Sequence, residues 1–294
     1  MRLIAALIQE LRKDDSTMAR ISSLNVLLTD SGKDFLAEQY GKVIANIQKN
    51  PISSQLKNTD LSGSPTSGTV EAKRFVNATS QAYGTARSGG KANAVKAKPI
   101  VISIDQDEEI LEEVEQKDVS LYGVDNFVER RAAECERKMT NKLEHAFFDT
   151  AATAGTQVTP VGTTPEAIAE ELIQSVETVS NDFVDGVERN MIALVCSPAF
   201  YGQLRTYLDA TTHNTEGEAI NTYHGVRIFS STYLPKDVKA IAMAYGSVAQ
   251  PVLPTIAPAE KIQLSNAYSF GMFYNYGTKA VTEDLIFVYK DAED

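Results

Sequence analysis

Apolar residues in the first fifty positions recur at helical spacing. Leu3, Ile4, Leu7, Ile8 and Leu11 fall on one face of a helix. A second helix runs through Phe35, Leu36, Tyr40, Val43, Ile44 and Ile47, with Thr29 or Ser31 as its cap and Asn50-Pro51 as its stop. Near residue 100 the period changes to two: Ile100, Ile102 and Ile104 alternate with small or polar residues, which predicts a half-buried strand over 99–105. Steps of three and four return through Val124, Val128, Ala132, Cys135, Met139, Leu143, Phe147 and Thr150. They predict a helix over 124–151, about 28 residues and about 42 Å at 1.5 Å per residue, against an ordinary mean of about three turns.

The pattern then alternates between helix and strand with short joints. Thr164 caps a helix with Pro165 at its first position, continuing through Ala167, Ile168, Leu172, Val176 and Val179. The run MIALVC reads as a fully buried strand, and Ser197-Pro198 repeats the cap-plus-proline signal before Phe200, Leu204 and Leu208. GVRIFSSTYLP and AIAMAYG supply two more short strands, so residues from about 160 to 255 form an α/β unit. VLPTIAPAEKI, with two prolines, is expected to be an extended, irregular return. The aromatic tail, with Tyr268, Phe270, Phe273, Tyr274, Tyr276, Phe287 and Tyr289, reads as an antiparallel hairpin turning at Tyr276-Gly277-Thr278-Lys279. Sheet core accounts for these rings better than a base-stacking platform does, because the charge around them is nearly balanced.

Residues 59–97 break the pattern, being rich in Gly, Ser, Ala and Thr and poor in large apolar side chains. Two readings fit: a disordered linker, or a long two-stranded hairpin with Val70, Phe75 and Val76 on one arm, Val95 on the other and Ser88-Gly89-Gly90-Lys91 at the tip.

Composition excludes several chemistries. The 294 residues carry a net charge of −11 with no long basic tract, which argues against a dedicated nucleic-acid binder. Cys135 and Cys196 stand far apart with no CxxC, and His145, His213 and His224 are isolated, so neither a disulfide framework, a metal site nor a cofactor is expected. Cys135 lies on the apolar stripe as a core thiol, and His145 beside it as a solvated helix residue. Cys196-Ser197-Pro198 sits where a nucleophile elbow would, yet GxSxG is missing and Ser197 is already explained as a cap. SGGKAN lacks phosphate-loop spacing, and the acidic run from Asp105 to Glu115 lacks the order of a calcium loop. Gln9 and Glu10 interrupt the first apolar run before a signal-peptide core is complete, and no stretch is long enough to span a membrane, which points to a cytosol-like compartment.

Charge is divided along the chain. Residues 59–100 carry six basic and two acidic residues, whereas 101–154 carry six basic and fourteen acidic. A hairpin with arms of about 15 residues would reach some 50 Å, and an isolated two-stranded ribbon is marginal in water. It has to lie on something, and a basic arm on the acidic surface of another copy is a self-assembly signature. The expected contact residues are Lys73, Arg74, Arg87 and Lys91 on one side and Asp107, Glu108, Glu112, Glu113 and Glu115 on the other.

The order of these elements resembles a known family, the tailed-bacteriophage major capsid proteins of the Hong Kong 97 type. His224-Gly225-Val226-Arg227-Ile228-Phe229 followed by Tyr233-Leu234-Pro235 is similar to that family's "GvpV…yLP" strand and turn, with Arg227 in the proline position. The resemblance implies an α+β fold with an N-terminal arm (1–58), an extended loop hairpin (59–100), a peripheral domain (101–159) with a long spine helix, an α/β axial domain (160–255) and a return to the peripheral sheet (256–294). It implies a structural protein, not an enzyme, that self-assembles as hexamers and pentamers into an icosahedral head shell. Its implied partners are a portal protein, a separate scaffolding protein, a decoration protein and packaged DNA held without sequence-specific contacts. The shell would be assembled in the host bacterial cytoplasm and end in the virion. Only some 50 residues precede the loop, so a separate scaffold is implied unless the two N-terminal helices act as an inner arm. Lys73, Lys91, Lys96 and Lys98 are in range of a loop crosslink, but no motif selects one, and none is expected. An encapsulin-type nanocompartment shell is the alternative, and a soluble hydrolase using Ser197 the remote one.

Overall fold

The computed structural model describes residues 24–80, 82–84, 95–115, 119, 123–210 and 222–290. The first amphipathic segment, the expected loop tip with Arg87 and Lys91, and His213 lie outside the described residues. In chain order the elements are α1 (Asp30–Lys49), α2 (Ile52–Leu56), β1 (Thr69–Phe75), β2 (Ala97–Ser103), β3 (Gln106–Glu115), α3 (Val124–Ala154), β4 (Thr156–Gln157), α4 (Pro165–Glu177), β5 (Ile192–Cys196), α5 (Pro198–Ala210), β6 (Thr222–Tyr223), β7 (Val226–Ser230), β8 (Val238–Ala244), β9 (Val248–Ala249), β10 (Val252–Lys261), β11 (Ala267–Tyr276), β12 (Lys279–Ala280) and β13 (Ile286–Lys290). They divide into two units, and α3 contributes residues up to Met139 to one and from Thr140 onward to the other.

The larger unit is built on a six-stranded sheet in the order β4-β13-β8-β5-β7-β6. Every residue of β5 is buried, and its side chains alternate between two cores. Ile192, Leu194 and Cys196 join Ile168, Leu172, Val176, Phe200 and Leu204, from α4 and α5, on one face. Ala193 and Val195 join Phe147, Phe148 and Ala151 of α3, together with Leu56 of α2, on the other. β5 and β7 pair in parallel and α5 makes the crossover, as the strand-helix-strand reading predicts. Ser197 does cap α5: the Phe200 N–H donates to its Oγ at 3.4 Å. Thr164 holds the cap position of α4 but makes no side-chain cap bond, so the fixed φ of Pro165 is what opens that helix.

The smaller unit holds α1, the first part of α3 and a three-stranded sheet ordered β10-β11-β3. Thr29 caps α1 through the Gly32 N–H, and Asn46 on α1 donates to Glu136 on α3 at 3.1 Å. Phe127 of α3 meets Phe270 of β11 edge-to-face at 6.5 Å.

Three expectations need correction. The acidic run, for which no element is predicted, is β3: Glu108, Ile110 and Glu112 are half-buried and Val114 is buried, while Gln106 at its start is exposed. VLPTIAPAEKI is not irregular but contains the whole of β10, and its prolines are tolerated because β10 is an edge strand. The aromatic tail is not one hairpin, since β11 pairs with β10 and β3 while β13 pairs with β8 and β4. At Gly277 the chain runs so close to β2 that a Cβ would sit 1.8 Å from the Ser103 carbonyl oxygen. There it continues into β12, which pairs with β9, instead of folding back.

Glu144, on α3, is 1% exposed. One carboxylate oxygen accepts the Ser53 N–H at 2.8 Å and so pins the start of α2, while Oε2 has no hydrogen-bond partner. Burial raises its pKa, opposed by Ser53, Lys57 and His145, and burial likewise lowers that of Lys57. A carboxyl with a raised folded pKa favours folding when protonated, so this contribution to stability fades as pH rises from the ordinary carboxylate range through the raised value.

Two outcomes are expected. Glu144→Gln keeps the Ser53 acceptor, so it should melt at or above the wild-type temperature at pH 7 and flatten the fall in stability above the ordinary carboxylate range, read by calorimetry across pH. Gly271→Ala should lower stability by about 2–4 kcal/mol in denaturant titrations, because a Cβ there would lie 2.0 Å from the Ile110 carbonyl oxygen of β3.

Candidate assembly surface

β1 and β2 pair antiparallel from Thr69↔Ser103 to Phe75↔Ala97, so the ladder has two faces. Val70, Ala72 and Ile102 point inward and bury against Ala249 and Val281. The other face carries Glu71, Lys73 and Phe75 opposite Val101, Pro99 and Ala97. Phe75 and Val101 on that face are 56% and 49% exposed.

Arg74 lies on the inward face, and its guanidinium makes a bidentate pair with Asp284, Nη1 to Oδ1 at 2.6 Å and Nη2 to Oδ2 at 2.7 Å. Asn181 donates to the same carboxylate, and the Phe183 ring lies 4.4 Å from the guanidinium carbon. The Asn77 N–H donates to the Asp182 carbonyl at 2.9 Å, and Lys279 Nζ to the Val101 carbonyl at 2.9 Å. A cleft of about 670 Å³ opens beside this clasp. Burial alone would raise the Asp284 pKa, but the hydrogen bonds from Arg74 and Asn181 outweigh it and hold the carboxyl below its ordinary value.

On β3 the odd positions Asp107, Glu109, Leu111, Glu113 and Glu115 are exposed, which gives a ribbon of four carboxylates around one leucine. Glu108 and Glu112 are half-buried, and Glu112 forms a bidentate pair with Arg131 of α3. That pair raises the Arg131 pKa. Beneath it Cys135 is buried, and burial, with Glu112 adding to it, pushes its thiol up to about 12, which rules out a thiolate nucleophile at neutral pH.

The residues expected at a contact therefore separate. Lys73 faces outward and Arg74 inward. Arg87 and Lys91 are not among the described residues. Asp107, Glu113 and Glu115 stand on the exposed ribbon, with Glu108 and Glu112 on its inner side. Sequence reasoning missed Asp284, Asn181 and Phe183. Arg74 and Asp284 are 210 positions apart, and no spacing rule connects them. Among the described residues no group of three or more His, Cys, Asp or Glu could hold a metal ion, and no helix is long and apolar enough to cross a membrane.

The family model described as phage capsid protein matches residues 106–290, well over half of the chain. Among solved structures the chain is similar to the capsid of cyanophage P-SCSP1u, with 15% identity and a TM-score of 0.59, over 84% of this chain and 89% of that one. It is also similar to a chain of Mycobacterium phage Che8, with 18% identity and a TM-score of 0.54, over 76% and 84%. A virus-like particle from Pyrococcus furiosus gives 12% identity and a TM-score of 0.54, over 88% and 97%. These structural likenesses are ones of fold. No curated protein matches the chain.

Arg74→Ala should loosen the ladder, seen as faster amide hydrogen exchange at Thr69–Phe75. Because Asp284 is held below its ordinary pKa, the clasp stabilises above the usual carboxylate range and is lost as pH falls through the lowered value. The variant should therefore differ most from wild type near neutral pH and converge with it in acid.

Proposed function

The chain belongs to the family of phage capsid proteins, and from that premise we propose how its surfaces build the shell. It is a major capsid protein of the Hong Kong 97-type α+β fold, a structural component of the virion whose copies self-assemble into the icosahedral head of a tailed bacteriophage. The nanocompartment reading has no better support than this one, since the matching family model is that of a phage capsid protein.

In this reading residues 1–58 are the N-terminal arm, 59–100 the extended loop, 101–159 and 256–294 the peripheral domain, and 160–255 the axial domain at the centre of each hexamer or pentamer. The outward face of the loop base meets a neighbouring copy. Phe75 and Val101 contribute apolar area, while Lys73, with Arg87 and Lys91 further along the loop, meets the carboxylates Asp107 and Glu115 of that neighbour. Arg74 and Glu112, each paired within its own chain, fix the two surfaces in the orientation they present. The observation that carries this reading is the ladder's division into an inner face clasped by Asp284 and an outer face bearing exposed Lys73, Phe75 and Val101.

The protein acts by assembly and carries out no catalysis. A scaffolding protein guides the copies in the host cytoplasm, a portal protein takes one vertex and a decoration protein binds outside. A net charge of −11 per copy keeps packaged DNA from adhering to the wall.

Reversing two loop cations, Lys73→Glu with Lys91→Glu, should leave a soluble subunit with an unchanged circular dichroism spectrum that forms no shells by negative-stain microscopy. Shells of normal size and yield from this variant would count against the loop-to-carboxylate contact.

A further inference from the structure

The chain between β10 and β11 turns tightly: the Ile262 N–H donates to the Ala267 carbonyl at 3.0 Å and the Ser265 N–H to that of Ile262 at 3.3 Å. At the tip Leu264 adopts φ 59, in the left-handed region that glycine and asparagine enter at far lower cost. Its side chain is fully exposed, at 109%. Single exposed leucines are ordinary on protein surfaces. This one differs because neither its backbone nor the core of its own chain favours a leucine at that place. No described residue of the chain covers it.

The same unit offers a matching concavity. A pocket of about 430 Å³ is lined by Val114, Phe127, Glu112, Glu113 and Arg131. Val114 and the Phe127 ring give it an apolar lining, the Arg131–Glu112 pair forms one wall, and Glu113 is exposed. Three residues before Leu264 the tip carries Lys261, also exposed, and Glu260 projects from the opposite strand face. The tip thus sets a cation beside an apolar knob, and the pocket sets a carboxylate beside an apolar lining.

We infer that the β10–β11 tip docks into this pocket on a second copy of the chain, Leu264 entering against Val114 and Phe127 and Lys261 pairing with Glu113. Knob and pocket are different patches of one surface, so the contact is heterologous and closes only in a ring or shell. This inference rests on the shell reading but not on the loop contact.

The test compares wild type with Leu264→Gly, Leu264→Asn, Lys261→Glu, and Lys261→Glu combined with Glu113→Lys, all expressed under conditions that give wild-type shells. Subunit melting temperature and shell yield by sedimentation and negative stain are the readouts. Glycine and asparagine relieve the backbone, so both variants should melt at or above wild type while shell yield drops about tenfold or more, a factor that corresponds to about 1.4 kcal/mol. Lys261→Glu should also lower the yield, and the double reversal should restore it. Wild-type yield from both Leu264 variants would overturn the knob, and failure of the double reversal to restore shells would overturn the pocket assignment. If wild type itself gives no shells with its neighbouring genes present, the shell reading falls and this inference with it.

Discussion

β5 has no residue that meets water, and that constraint shapes the rest of the larger unit. A strand buried on both faces needs an apolar layer on each, and one sheet cannot supply both. α4 and α5 cover one face, and the latter part of α3 with α2 covers the other. The unusual length of α3 follows from this: only its residues from Thr140 belong to the sheet unit, while the turns before them serve the smaller unit. Ser197 at the end of β5 makes the same point locally, because its hydroxyl is committed to opening the helix that covers the strand.

Much of this was legible in the sequence. The run MIALVC, the caps at Thr29 and Ser197, the proline at residue 165 and the stripe from Val124 each report a local rule, and the elements formed where those rules pointed. The misses share a cause, which is that the deciding contact is remote. β3 carries too few apolar residues to announce a strand, and its inward side is supplied in part by the arginine of α3 that pairs with Glu112. β10 contains Pro254 and Pro258, which read as breakers until its edge position is known. The tail looked like a hairpin because its aromatic alternation is real, yet alternation does not say which sheet a strand joins. Nothing in the sequence singles out Glu144, and only the fold reveals its buried oxygen without a hydrogen-bond partner. The order of elements, as much as any single motif, carried the family.

The surface follows from how charge is committed. Arg74, Arg131 and Arg189 are held in ion pairs within the chain, each in a forked or bridging geometry that suits guanidinium. Lys73, by contrast, stands on an outward face as a flexible point charge. A polymerising subunit benefits from that split, since rigid pairs fix its shape while long, hydrated cations tolerate small differences between neighbours.

The clasp also has a mechanical side. Arg74 grips Asp284 just ahead of β13, a strand inside the six-stranded sheet. Any pull on the loop therefore passes along β1, through two parallel hydrogen bonds, into a strand flanked by β4 and β8. Loaded along its length, such a ladder resists in shear, with its hydrogen bonds sharing the force instead of peeling apart one at a time. The fold thus fastens the loop to the interior of the six-stranded sheet instead of to its edge.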